Sequence, residues 1–172
     1  MPIVPGAFIW RKIVDMFFAQ NHSAMTHLPL AAAVMVAACA IAALFTSRRE
    51  IARAWAVLAI VAFVSALPAV ATGVEAAEGR FSGDGKPYIQ HGYIVSKTPA
   101  SERVWRHQML GGGGSAIAAV LATLGVSVLR GKSPNKYLVT LLALVLAVLW
   151  AIGAHTGGAE LWGPDTFPAF KS

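Results

Sequence analysis

A chain of 172 residues is one domain's worth of material, and 56% of it is hydrophobic while 13% is charged. Soluble domains carry about 25% charged residues, and a chain this short leaves much of its surface wet. A soluble globular fold is therefore excluded, and the apolar residues must face lipid. The net charge of +6 does not point to nucleic acid. The basic residues sit in short connections between apolar runs, without the aromatic-interleaved stripe that tracks a phosphate backbone.

In chain order, residues 1–24 form an N-terminal segment in which Arg11 and Lys12 precede Ile13, Val14, Phe17 and Phe18. Asp15, Gln20, Asn21 and His22 interrupt any signal-peptide core. The segment reads either as an interfacial helix or as the leading piece of an extended first helix. Four apolar runs follow, at residues 28–45, 54–74, 109–129 and 137–154. Each has close to the ~20 residues that cross ~30 Å of hydrocarbon as a helix, and none alternates as a barrel strand does. Cys39, the single cysteine, lies in the first run, excludes an intramolecular disulfide and reads as a small packing residue.

The connections are unequal. Residues 46–53 hold Arg48, Arg49 and Arg53 against Glu50, and residues 130–136 hold Arg130, Lys132 and Lys136. Short basic loops mark the cytoplasmic side. Both termini and the long loop 76–106 then lie outside, in the periplasm of a bacterial inner membrane. Within that loop, Gly83, Asp84, Gly85, Lys86 and Pro87 make a turn signal before Tyr88, Ile89, Tyr93, Ile94 and Val95, which suggests a short hairpin. Residues 164–172, with Pro164 and Pro168, read as an irregular tail. Trp105 and Trp162 suit an outer aromatic belt and Trp55 an inner one. The expected fold is all-α: an integral membrane four-helix bundle, up-down-up-down, spanning residues 25–163.

The histidines gather on one side. With alternating helix direction, His27, Glu75, His107 and His155 sit at the outer ends of helices one to four. Ionisable groups at membrane depth usually face the bundle interior and serve a purpose. Imidazole is a common axial ligand of haem iron, and bundles hold cofactors between facing helices. Gly111, Gly112, Gly113 and Gly114 supply a small-residue wall below His107, and Arg80, Arg103 and Arg106 at the same level could meet propionates. Three imidazoles and Glu75 could instead hold a single Cu, Zn or Fe ion. The glycine run could equally serve close helix packing. His22 and His91 are expected to be exposed. No phosphate-binding loop, GxSxG or HExxH occurs, and no charge in mid-helix provides a relay across the bilayer.

His27-Leu28-Pro29, Gly73 with Glu75, His107, and the closing series Gly153, His155, Gly157, Gly158, Leu161 and Gly163 resemble the bacterial four-helix membrane family known as domain of unknown function 2231. The resemblance covers about residues 25–163. The chain departs from that family's closing Gly-Gly-x-Leu-Val-Tyr-x-His-Gly, because Trp162 and Gly163 follow Leu161 directly and no histidine comes after. The family's arrangement is similar to small membrane cytochromes b. The resulting expectation is a b-type haem protein passing electrons near the periplasmic face, as a subunit of a larger respiratory or photosynthetic complex, with no bond-making chemistry of its own. His107 with His27 or His155 would be the axial pair, Gly111 and Gly112 the wall, and Arg103 or Arg106 the propionate contact. A non-haem metal protein and a cofactor-free accessory subunit are the alternatives.

Overall fold

The computed structural model describes residues 5–79, 89–90, 93–94 and 99–162, and the side chains of residues 22, 24–74, 99 and 102–157. Its helices are α1 (Pro5–Phe45), α2 (Arg49–Gly79), α3 (Pro99–Leu129) and α4 (Lys136–Trp162). Each contains a stretch long and apolar enough to cross a membrane: Ala24–Phe45, Arg49–Val74, Glu102–Leu129 and Lys136–Gly157. The all-α bundle and its four expected spans are therefore present. Between α2 and α3, β1 (Ile89–Gln90) and β2 (Tyr93–Ile94) pair antiparallel, with Ile89 opposite Ile94. The expected hairpin thus reduces to a two-residue pair.

The backbone of α1 is continuous through its 41 residues, so residues 5–24 lead directly into the first span. At ~1.5 Å per residue α1 is roughly twice as long as a ~30 Å hydrocarbon layer is thick. It extends well beyond the membrane-spanning stretch. Residues 164–172 lie outside the described residues.

The short connections have defined ends. Gly131, at φ 84°, occupies the left-handed region. Its N–H donates to Val128 O and the next N–H, of Lys132, donates to Ser127 O, at 2.9 Å each. That is a Schellman closure of α3, and it satisfies carbonyls the helix end would leave orphaned. Three residues on, Asn135 Oδ1 accepts the N–H groups of Tyr137 and Leu138, which caps α4.

The interior is built from small side chains. Ala33, Val36 and Ala40 of α1, Ala56, Ala59, Ala62 and Ala66 of α2, Ala118 and Leu121 of α3, and Ala143 and Leu146 of α4 are buried in one cluster. The larger apolar residues point the other way: Leu28, Met35, Val64, Leu67, Leu141 and Val148 are exposed. Lipid is as apolar as leucine, so burying large side chains between membrane helices gives little advantage, whereas small residues let backbones approach and gain dispersion contacts. A Cβ on Gly125 would come within 2.8 Å of the Ala56 carbonyl oxygen, which measures how close α2 and α3 run. Trp55 belongs to this core, 4% exposed. It is a packing residue and not part of an inner aromatic belt. Its bulk fits beside alanines that leave room for it. Cys39 packs half-buried against the same cluster, as a small apolar residue should, and Trp105 is exposed.

Candidate cofactor site

Each core stripe continues toward one end of the bundle and finishes in a polar or glycine residue. On α1 the buried positions Val36 and Pro29 recur every seven residues, about two helical turns, and the next step back is His22. On α3, Leu121, Ala118 and Gly114 lead back to Gly111 and His107. On α4, Leu146 and Trp150 lead on to Gly153 and Gly157, and on α2, Ala62, Ala66 and Ala69 lead to Thr72 and Gly73. The stripes converge there.

His22 and His107 meet with ring centroids 5.9 Å apart and planes at 89°. His22 is buried, 8% exposed, which corrects the expectation that it faces solvent. Its position on the α1 stripe, not its polarity, decides its direction. Its Nδ1 lies 2.9 Å from Thr72 Oγ1. That hydroxyl has one proton, which it donates to the carbonyls of Pro68 and Ala69 at 2.9 and 3.0 Å. While that proton is given to a carbonyl, Thr72 accepts from His22, and the ring proton is then on Nδ1. His107 repeats the arrangement with a different partner. Its Nδ1 donates to the Gly153 carbonyl at 2.6 Å, an atom that can only accept.

Glycines shape the walls. A Cβ on Gly73 would sit 3.0 Å from His22 Cε1, and one on Gly157 would sit 2.6 Å from His107 Cε1. Both rings thus lie directly on helix backbone. The run 111–114 divides in two. Gly114 is covered by the Trp150 indole, which leaves no room for a Cβ, whereas nothing lies within 4 Å of a Cβ on Gly111, Gly112 or Gly113. Trp150 Nε1 also donates to Gly111 O at 3.4 Å. Beside His107 opens an apolar cavity of about 180 Å³, whose walls include Pro29, Ala66, Gly73, Gly111, Gly112 and Trp150.

The other residues singled out in the sequence take different positions. His27 is exposed; five residues on from His22, it is turned about 140° around α1. His155 is exposed and lies two residues from both Gly153 and Gly157, on the opposite side of α4. Arg103 and Arg106 are exposed, Arg103 one turn before His107 and Arg106 paired with Glu102 on the same helix. The Glu75 and Trp162 side chains, and all of Arg80 and His91, lie outside the described residues. Among the described residues no group of three or more His, Cys, Asp or Glu comes together as a metal site. The structure thus brings His107, Gly111 and Gly112 together with His22, which sequence reasoning had set aside. The seven-residue recurrence through Pro29 and Val36 was the available signal.

Two metal–imidazole bonds of ~2.0–2.1 Å in line put the ring centroids roughly 6 Å apart, close to the separation found. Ligating histidines characteristically donate the second ring N–H to a carbonyl or another oxygen, and both rings do so. A membrane-spanning-type four-helix bundle with a paired-histidine site is the class these features define. Comparison with protein-family models, with curated proteins and with solved structures finds no match for the chain.

Proposed function

We propose that this protein is a membrane b-type haem protein that carries electrons, with His22 and His107 as the axial pair. The observation that carries the reading is the twofold hydrogen-bond pattern. Two imidazoles in contact, from helices far apart in sequence, each set Nδ1 against a fixed oxygen, Thr72 Oγ1 for His22 and the Gly153 carbonyl for His107. The glycine walls at Gly73 and Gly157, on which the two rings lie, favour the same reading. When bound, haem supplies reversible one-electron transfer. The chain's part is to hold both rings by Thr72 and Gly153 and to keep water away with apolar walls. It also leaves Gly111 and Gly112, which line the cavity, uncovered by other side chains. At about 180 Å³ the cavity is smaller than the ~300–1,000 Å³ of enclosed ligand sites, so it would hold only part of a haem. A single Cu, Zn or Fe ion is less well supported, since two imidazoles leave such an ion short of ligands.

In the same proposal the bundle runs up-down-up-down in a bacterial inner membrane. The basic connections at 46–48 and 130–135 lie in the cytoplasm, and both termini and the histidine pair lie toward the periplasm. The short basic loops support that orientation. A haem near one face, with no histidine at the other, suits electron exchange with a partner in a larger membrane complex better than transfer across the bilayer.

The test is a visible spectrum of purified protein, oxidised and then reduced with dithionite, from cells supplied with haem precursor. A Soret band with sharp α and β bands on reduction is expected. Alanine at either His22 or His107 should remove it, while His27→Ala and His155→Ala should keep it. A featureless spectrum from the wild type, or retention in both His22→Ala and His107→Ala, would overturn the reading.

A further inference from the structure

The two short connections enclose a second cavity, remote from the histidines and chemically unlike their site. It measures about 550 Å³, and Arg48, Arg49, Arg53, Lys132 and Lys136 line it. No carboxylate among the described residues joins them there. The one ion pair among the described residues, Arg106 with Glu102, is elsewhere. Lys136 gives one donor to the Leu44 carbonyl at 3.0 Å, which ties α4 to the end of α1 and fixes that ammonium at the rim.

Three further features bear on what such a cavity takes. Helices α2 and α4 begin at it, with Arg49 and Lys136 as their first residues, while α1 and α3 end at it, so the helix dipoles offset one another and the side-chain cations carry the positive potential. The Schellman closure at Gly131 fixes the backbone that presents Lys132 and Ser133. About one to two turns inside the helix ends the lining becomes apolar, with Ala40, Trp55 and Val139. A soluble anion would use the rim alone. The rim and floor together match an amphiphile with an anionic head and an acyl chain.

We propose that this cavity binds the phosphate of an anionic glycerophospholipid, such as phosphatidylglycerol, from the bilayer leaflet on the side of the basic loops. Basic pockets between membrane helices recognise lipid head groups by the same means. Loop charge that only sets orientation needs a count of lysines and arginines, and neither a cavity nor an apolar floor beneath it.

Full-length protein in a neutral detergent, with any bound cofactor retained, provides the test. Its unfolding temperature is followed while phosphatidylglycerol, phosphatidylcholine or inorganic phosphate is added. Phosphatidylglycerol should raise the temperature by roughly 5 °C or more at saturation, and the other two should not. The combined Arg48→Gln, Arg49→Gln and Lys132→Gln variant should lose the rise. Those changes also weaken the orientation signal, so Ser133→Glu is measured beside them. It retains all the basic residues, sits in an exposed loop, sets a carboxylate against the phosphate and should lose most of the rise. An equal rise with phosphatidylcholine would overturn the proposal in favour of general lipid solvation. An equal rise with inorganic phosphate would overturn it in favour of a soluble anion. A full rise retained in Ser133→Glu would also overturn it.

Discussion

Inward of the cavity at the basic loops, the bundle has a closed half around Gly125 and an open half around Gly111, and glycine serves opposite ends in each. Toward the basic loops, Gly125 lies so close to α2 that a Cβ would come within 2.8 Å of a backbone oxygen. Alanines surround it, and the core there is continuous. Toward the histidines, Gly111, Gly112 and Gly113 have nothing within 4 Å of where a Cβ would stand, and a cavity lies beside them. Glycine inside a helix costs about 1 kcal/mol relative to alanine. In the closed half, close packing of backbones offsets that cost. In the open half no such contact offsets it at Gly111, which lines the cavity. Gly114 marks the border, covered by Trp150.

The contrast can be broken most completely at the rings. Replacing His107 with alanine should abolish the reduced-minus-oxidised haem spectrum while circular dichroism keeps its helical signal, because the alanine-rich half does not depend on that side chain. Thr72→Val should come next. It removes the acceptor that holds His22 Nδ1, and loss of such a supporting partner typically weakens metal affinity ~10–100-fold. Haem retention on dilution should fall accordingly, and Thr72→Ser should restore it, since the hydroxyl is what His22 needs.

Glycine substitutions sharpen the comparison further. Gly125→Ala presses a methyl onto the Ala56 backbone, which cannot swing aside as a side chain can, and should cost about 1–3 kcal/mol as a lower unfolding temperature. Gly114→Ala should cost a similar amount, moderated by whatever movement the Trp150 indole allows, and should change Trp fluorescence. The smallest effect on the protein itself is expected from Gly111→Ala. It should leave the cofactor-free protein unchanged or stabilised by up to about 1 kcal/mol, while haem retention falls. If Gly111→Ala instead destabilises the cofactor-free protein as Gly125→Ala does, the open half is packed and the distinction fails.

The fold was largely legible because its signal is local. Hydropathy over ~20 residues identifies a span, and the runs 28–45, 54–74, 109–129 and 137–154 all lie within the helical stretches found. The site was legible in part. His107 and the glycines after it are adjacent in sequence and share a helix, so their association required no knowledge of the other helices. His22 was passed over because depth was judged by distance from the apolar run, in which His27 is nearer. A 41-residue α1 carries its inward face beyond that run, and position on the face outranked position along the axis. Trp55 was misjudged for the same kind of reason: an aromatic at a helix start suits an interface, yet its face points inward.

Composition and order along the chain thus determined the number of helices, the concentration of positive charge in two short connections, and the gathering of histidines toward the other end. These follow from transfer free energies of single residues and from the order of apolar runs and polar connections along the chain. Tertiary structure decided which histidines meet, which glycines are covered, and that the basic loops enclose a cavity and not merely a charged edge. Those outcomes depend on the rotation of each helix about its axis. Contacts between alanine and glycine faces of different helices set that rotation, through close approaches such as Gly125 on Ala56 and Gly157 on His107.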